Sequence, residues 1–348
     1  MAFLTKVGGL FLWAMGLGGC VKAEPIEERT TDPLDFLPVE VEDRLERFVA
    51  GVNLPWLRYG HDFGRAWGNR GIRTPDSREQ LEADFDALVG VEVVRWFLFA
   101  DGRALGQSTP DEVLADFDAA LEVADARGIQ LMPVLFDFYW FDQAKIVNDV
   151  QLFGRREMAL DPVLRRDLIE TWIVPLQRYD HDPRIFAFDL INEPEWALLD
   201  GLHAPLVADP VTLQEMWDFL FDVALPLRGG RPLTVGSASA EDLAAIWLDA
   251  PLDLLQVHHY DVGELPLVDE YPTDLPILVG EFPTDPLDLQ IRLETYEALG
   301  YAGAMPWSFN AKDEAADRAA LVDHFSEEER SPRLPARGPG LHSTPQAY

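Results

Sequence analysis

The sequence predicts an α/β fold, a single-domain (β/α)8 TIM barrel, and three observations predict it. Eight short apolar runs recur between residues 48 and 307. Patterns of helical period separate them, and such alternation makes βα units and a parallel sheet. Several runs are apolar at nearly every position, as strands covered on both faces must be.

In order, the runs span residues 48–53, 93–99, 129–136, 185–191, 232–236, 254–258, 277–281 and 302–307. The helices between them carry start and stop signals. Ser77 and Gln80 read as a capping pair ahead of Leu81, Phe85 and Leu88. Thr109-Pro110-Asp111-Glu112 supplies an N-cap, a proline at the first helical position and a capping glutamate. Val113, Phe117, Leu121 and Ala124 then form one face, and Gly128 closes the helix. Asp285-Pro286 opens another, with Leu289, Leu293 and Tyr296 on its buried side and Gly300 at its end. Units five and six carry the weakest helical signal. Residues 192–212 read as a long loop after strand four, of the kind that shapes a binding cleft.

The ends read differently. Residues 1–19 hold a short positive region with Lys6 and then an apolar stretch, the pattern of an export signal. It ends Leu17-Gly18-Gly19-Cys20, which resembles the bacterial lipoprotein box, and Cys20 is the sole cysteine of the chain. The resemblance implies lipidation at Cys20 and an exported protein anchored in the cell envelope. Val21, rather than Asp, follows the cysteine, which implies outer-membrane or surface placement. Residues 20–44 are rich in Glu, Asp, Pro and Thr and read as a flexible tether. The barrel domain is placed at 45–330, and 331–348 reads as a disordered tail. A lone cysteine forms no intrachain disulfide.

With 61 acidic and 28 basic residues, the formal net charge is -33. Nucleic acid and anionic membrane surfaces would be repelled, so a lipid anchor is the one membrane link expected. A neutral polymer fits better. No glycine-rich phosphate loop occurs, and Asp180, His181 and Asp182 do not form a metal set, so neither cofactor nor metal is expected. A monomer is expected.

Polar and aromatic residues gather at the strand tips: Asn53, Arg95, Asp137, Asn192, Glu193, His258, Tyr260, Glu281 and Trp307. The C-terminal tips of barrel strands face the mouth where such folds keep their chemistry. Two carboxylates across one pocket are what glycosidic cleavage needs, one protonated and one ionised, about 5–5.5 Å apart in a retaining enzyme. An arginine beside the nucleophile would hold it ionised, a tyrosine hydroxyl would orient it, and a tryptophan can floor a sugar ring. Trp56, Trp140 and Trp196 lie at strand exits and are further cleft candidates.

In this order the residues resemble clan A glycoside hydrolases, nearest to family five, the cellulases, mannanases and relatives. Asn192-Glu193-Pro194 sits at strand four, Glu281 at strand seven and His258-His259-Tyr260 at strand six. Arg95 stands on strand two, Trp307 on strand eight, and Gly51-Val52-Asn53-Leu54-Pro55-Trp56 on strand one. The resemblance covers roughly residues 46 to 310. It implies Glu193 as acid/base, Glu281 as nucleophile and Asn192 on the sugar 2-hydroxyl. It also implies Tyr260 and Arg95 in support of Glu281, with Trp307 lining the glycone subsite. The implied substrate is a β-linked oligo- or polysaccharide of mannan or β-glucan type. The family often has a histidine at the end of strand three. Here the chain reads Leu135-Phe136-Asp137-Phe138-Tyr139-Trp140, and Asp137 or Tyr139 is expected to fill that space. A carbohydrate-binding lipoprotein without turnover and a transglycosylase are the competing functions.

Overall fold

The computed structural model describes residues 47 to 309, apart from 59, 89, 261–262 and 285–288. Residues 1–19, Cys20, the 20–44 tether, the 331–348 tail and the Asp285-Pro286 helix start lie outside the described residues.

Eight parallel strands close into a barrel. They are β1 (Val49–Asn53), β2 (Val93–Phe97), β3 (Gln130–Asp137), β4 (Phe188–Asn192), β5 (Leu233–Ser237), β6 (Leu255–His258), β7 (Ile277–Glu281) and β8 (Gly303–Ala304). Each pairs with its neighbour in sequence, and β8 returns to β1 through Val49↔Gly303 and Ala50↔Ala304. All eight predicted runs are strands of one barrel.

Among the described residues, five helices of at least seven residues surround it: α1 (Pro75–Asp86), α2 (Pro110–Asp125), α3 (Pro162–Leu168), α4 (Leu213–Ala224) and α5 (Leu289–Ala298). The α2 capping box forms as predicted. Glu112 N donates to Thr109 Oγ1 at 3.3 Å, and Thr109 N donates to Glu112 Oε2 at 3.1 Å. Gly128 follows with φ 69°, a left-handed stop that costs glycine little. The start of α1 differs from the reading. Thr74 is its N-cap, Pro75 is its first residue, and Ser77 lies inside the first turn. A proline has no N–H to satisfy and a φ already helical, so it draws the start upstream of Ser77. Leu289, Leu293 and Tyr296 are the buried residues of α5, as expected.

The two weak units are weak for visible reasons. After β5 come one helical turn (Ala240–Asp242) and a wide turn (Leu243–Trp247). Between β6 and β7 the described residues hold only the 3-10 turn Val268–Glu270. Pro266, Pro272 and Pro276 fall in that stretch, and each would break a helix interior.

Val49, Val93, Met132, Phe186, Leu254, Leu278 and Met305 form an apolar plug at the N-terminal end of the barrel interior. Polar side chains are thereby left to the C-terminal tips. Among the described residues, no helix is long and apolar enough to cross a membrane.

Candidate active site

Register brings the polar residues together. Asn53 pairs with Arg95, Asp137 with Asn192, and His258 with Glu281 across neighbouring strands. Arg95 is the hub and is fully buried. Its Nε donates to Asp189 Oδ2 at 2.9 Å, and its Nη2 donates to Asn192 Oδ1 at 2.8 Å. Its Nη1 donates to Asn53 Oδ1 at 3.0 Å and to Glu281 Oε1 at 2.5 Å. A buried guanidinium is tolerable only when charge and hydrogen bonds meet it, and here two carboxylates do.

Glu281 is held from two sides. Arg95 takes one oxygen, and the Tyr260 hydroxyl donates to the other, Oε2, at 2.8 Å. Burial raises its carboxyl above the ordinary value, while Arg95 and the Tyr260 hydrogen bond pull it back down. Burial also raises the Tyr260 phenol, so it stays a donor.

Glu193 leaves β4 in the left-handed region, at φ 44° and ψ 51°. Its Oε1 meets His258 Nδ1 at 2.8 Å, and Trp196 Nε1 donates to its Oε2 at 3.1 Å. Burial pushes Glu193 up to about 7, against Arg95 and the Trp196 hydrogen bond. Its side chain is 16 % exposed against 5 % for Glu281, so it is the carboxyl better placed to exchange a proton with water. Burial lowers His258 to about 4, which keeps the ring neutral. With Glu193 protonated, its O–H donates to Nδ1; with Glu193 ionised, Nδ1–H donates back.

One oxygen each from Glu193 and Glu281 and a ring nitrogen of His258 lie within 4.8 Å of one another. Three such donors could also surround a cation. Both Glu281 oxygens already meet Arg95 and Tyr260, which leaves little negative charge free for a metal.

The remaining candidates divide. Asn192 Nδ2 donates to Asp137 Oδ2 at 3.2 Å, so Asp137 joins the site and fills the strand-three position. Burial pushes Asp137 up to about 8, and Tyr139 N bonds its other oxygen. Tyr139 is 39 % exposed. Asn53 braces Arg95 and donates to Gly280 O and Met305 O, tying β1 to β7 and β8. Trp307 and Trp56 meet edge to face at 6.2 Å, and both are half-buried. Trp196, also half-buried, stacks beside His203 at 5.2 Å. Trp140 does not belong to the cleft. It is fully buried, its ring packs on Phe136, and its Nε1 donates to Ala100 O. The short turn Phe138–Phe141 that follows β3 folds it inward.

Sequence reasoning missed Asp189 and Gln256. Gln256 Nε2 donates to Asp189 Oδ2 at 2.8 Å, behind Arg95. Each interrupts an apolar strand, and a buried charge or amide there demands a partner, which was the available signal. Gly236 and Gly280 make the room. A Cβ at Gly280 would lie 2.0 Å from Gln256 Oε1, and one at Gly236 would lie 3.0 Å from both Arg95 Nη2 and His258 Nε2.

No family model matches the chain, and no curated protein matches it. Solved structures do. The β-mannanase of the blue mussel Mytilus edulis superposes with TM-score 0.64 at 19% identity, over 79% of this chain and 91% of that one. The barrel is shared with mannanases. The endo-1,4-β-mannanase of Eisenia fetida gives TM-score 0.64 at 20% identity, over 80% and 90% of the two chains. A GH5_18 variant from Streptomyces cattleya in complex with Manβ1-4GlcNAc gives TM-score 0.56 at 15% identity, over 84% and 83%.

Proposed function

We propose that the protein is a retaining β-glycoside hydrolase that cleaves a β-linked glycan of mannan or β-glucan type by double displacement. One observation carries the reading. Two carboxyls, one just after β4 and one at the end of β7, have oxygens within 4.8 Å, and among the described residues Arg95 pairs with Glu281 alone of the two. Retaining pairs stand about 5–5.5 Å apart, and inverting pairs about 6.5–9.5 Å, with room for a water. Nearest oxygens within 4.8 Å fit a pair in which one carboxylate serves as nucleophile, and the separation of the two carboxyl carbons is the distance that tests it. The mannan-type substrate is supported by the shared barrel of the mannanase structures.

In this reading Glu281, ionised beside Arg95 and Tyr260, attacks the anomeric carbon. Glu193 gives its proton to the departing glycosidic oxygen as that bond breaks. Glu193, now ionised, takes a proton from water, whose oxygen displaces Glu281 and releases the sugar. Each step leaves the enzyme ready for the next. Asn192, held between Arg95 and Asp137, is aimed at the sugar 2-hydroxyl, and Trp307 lines the glycone side.

A panel of mannans, β-glucans and xylan tests the substrate with chain starting near residue 40. Glu281→Gln should lower turnover by orders of magnitude while ligand binding survives. With an activated aryl glycoside and azide, Glu193→Ala should yield the β-glycosyl azide and Glu281→Ala the α-glycosyl azide. Products of the reverse configurations, or full activity in both variants, sink the assignment. Export is proposed through lipidation at Cys20. Cys20→Ser should release the protein from membranes, and retention in the unprocessed form would point to another anchor.

A further inference from the structure

A carboxyl that the reaction does not use lies two residues beyond Glu193. Glu195 is fully buried and makes no ion pair among the described contacts. Three donors converge on it. Ser237 Oγ donates to its Oε1 at 2.9 Å, Trp247 Nε1 donates to the same oxygen, and Ala238 N donates to Oε2 at 3.2 Å. Ser237 ends β5, and Trp247 ends the wide turn after it, where its ring stacks beside Trp217 at 5.5 Å.

Glu195 sits in the turn Pro194–Ala197, which begins right after Glu193 and contains Trp196. That turn needs holding. Glu193 is a non-glycine residue in the left-handed region, a strained conformation that persists only where the surroundings impose it. Glu193 N bonds Gly236 O at 2.7 Å, which fixes the start of the turn to β5. Glu195 fixes its middle to the same strand.

We propose that Glu195 is a positioning residue, clamping the turn after β4 to the end of β5 and to Trp247 so that Glu193 and Trp196 keep their cleft orientations. The proposal rests on the acid/base role given to Glu193 above. The clamp acts on the proton donor and leaves the Arg95–Glu281 pair alone. Its loss should therefore harm proton donation selectively.

Glu195→Gln keeps the volume. Its carbonyl can still accept from Ser237 and Trp247, but its NH2 then meets Ala238 N–H, donor against donor. Trp247→Phe keeps an aromatic ring and removes one N–H, a second route should Glu195→Gln fold poorly. Two readouts follow. In each variant, kcat/KM on the natural glycan should fall about 10- to 100-fold, the cost of misplacing a catalytic group by up to an ångström. For a dinitrophenyl glycoside, whose leaving group needs no proton, kcat/KM should stay within about twofold, since it reports only the first step. Independently of activity, the amides of Trp196 and Leu198 should exchange with deuterium faster than in the parent. Equal losses on both substrates, or unchanged exchange in the turn, overturn the proposal. If the parent protein cleaves no glycan at all, the functional reading fails, and the exchange comparison alone still decides the clamp.

Discussion

Replacing Arg95 by Met should move the acid limb of the pH–rate profile upward and narrow the working window. Arg95 Nη1 lies 2.5 Å from Glu281 Oε1, and both side chains are buried. Opposite unit charges some 4 Å apart interact by roughly 4 kcal/mol at an effective dielectric of about 20. That corresponds to roughly three pH units on Glu281 as an upper limit, and carboxylates beside an arginine commonly sit one to three units low. Glu193 also feels Arg95, but without direct contact, so its rise should be smaller. The mechanism proposed above needs Glu281 ionised and Glu193 protonated together. When the first limb climbs toward the second, near pH 7, that microstate becomes scarce and kcat/KM falls at every pH. Stability should fall too, by about 3–5 kcal/mol, because Asp189 and Glu281 would be left buried without their cation. Profiles should therefore be taken well below the lowered melting temperature. Arg95→Lys keeps the charge but cannot reach Asp189, Asn53, Asn192 and Glu281 at once, so it should show an intermediate acid limb. An acid limb that stays put in Arg95→Met, in a protein shown to be folded, would refute the reasoning.

Three further outcomes are expected. In the parent protein kcat/KM should fall above about pH 7, because burial places Glu193 near 7 and only its protonated form can donate; Glu193→Gln should abolish that limb along with most activity. Asp137→Asn should leave KM at pH 7 within a few-fold of the parent yet keep it low above pH 8, where the parent's Asp137 ionises beside Asn192 and Glu193 and sugar binding weakens. The melting temperature should drop as pH rises from 5 to 9. Glu193 and Asp137 both have folded values raised above their ordinary ones, so their contribution is complete below the unfolded values and is lost as pH passes about 7 to 8. A melting temperature that climbs across that range would contradict the burial of these acids.

The strands were legible because each is a run buried on both faces, with no competing helical period. Glu193, Glu281 and His258 were legible because polar residues at the ends of such runs have one place to go, the mouth of the barrel, and Arg95 because a lone charge inside the apolar run of β2 demands partners. Where local chemistry was ambiguous, the reading slipped. Ser77 looks like a cap, but Pro75 fixes the first helical residue and gives the cap to Thr74. Trp140 stands beyond a strand tip, but the short turn from Phe138 to Phe141 folds it under Ala100 instead of over the cleft. A strand exit says where the backbone leaves the barrel. The first turn after it decides which side chain returns to the mouth.

The same distinction explains why the support behind the site was invisible. Asp189 and Gln256 sit inside strands and find each other across β4, β5 and β6, a meeting that requires the closed barrel. Glu195 reads in sequence as one more acid in an acidic chain, and nothing local marks it as buried. Its role depends on Ser237, Ala238 and Trp247, which lie 42 to 52 residues away. Residues that touch the two cleft carboxyls are set by strand register, which periodicity carries. Residues that hold those carboxyls are set by contacts between loops, which it does not. The backbone of Glu193 shows the consequence. A left-handed glutamate before a proline would be a poor choice in an unconstrained turn, so its presence here implies a frame that imposes it. That frame is built from Gly236 O, Pro194 and the buried carboxyl of Glu195.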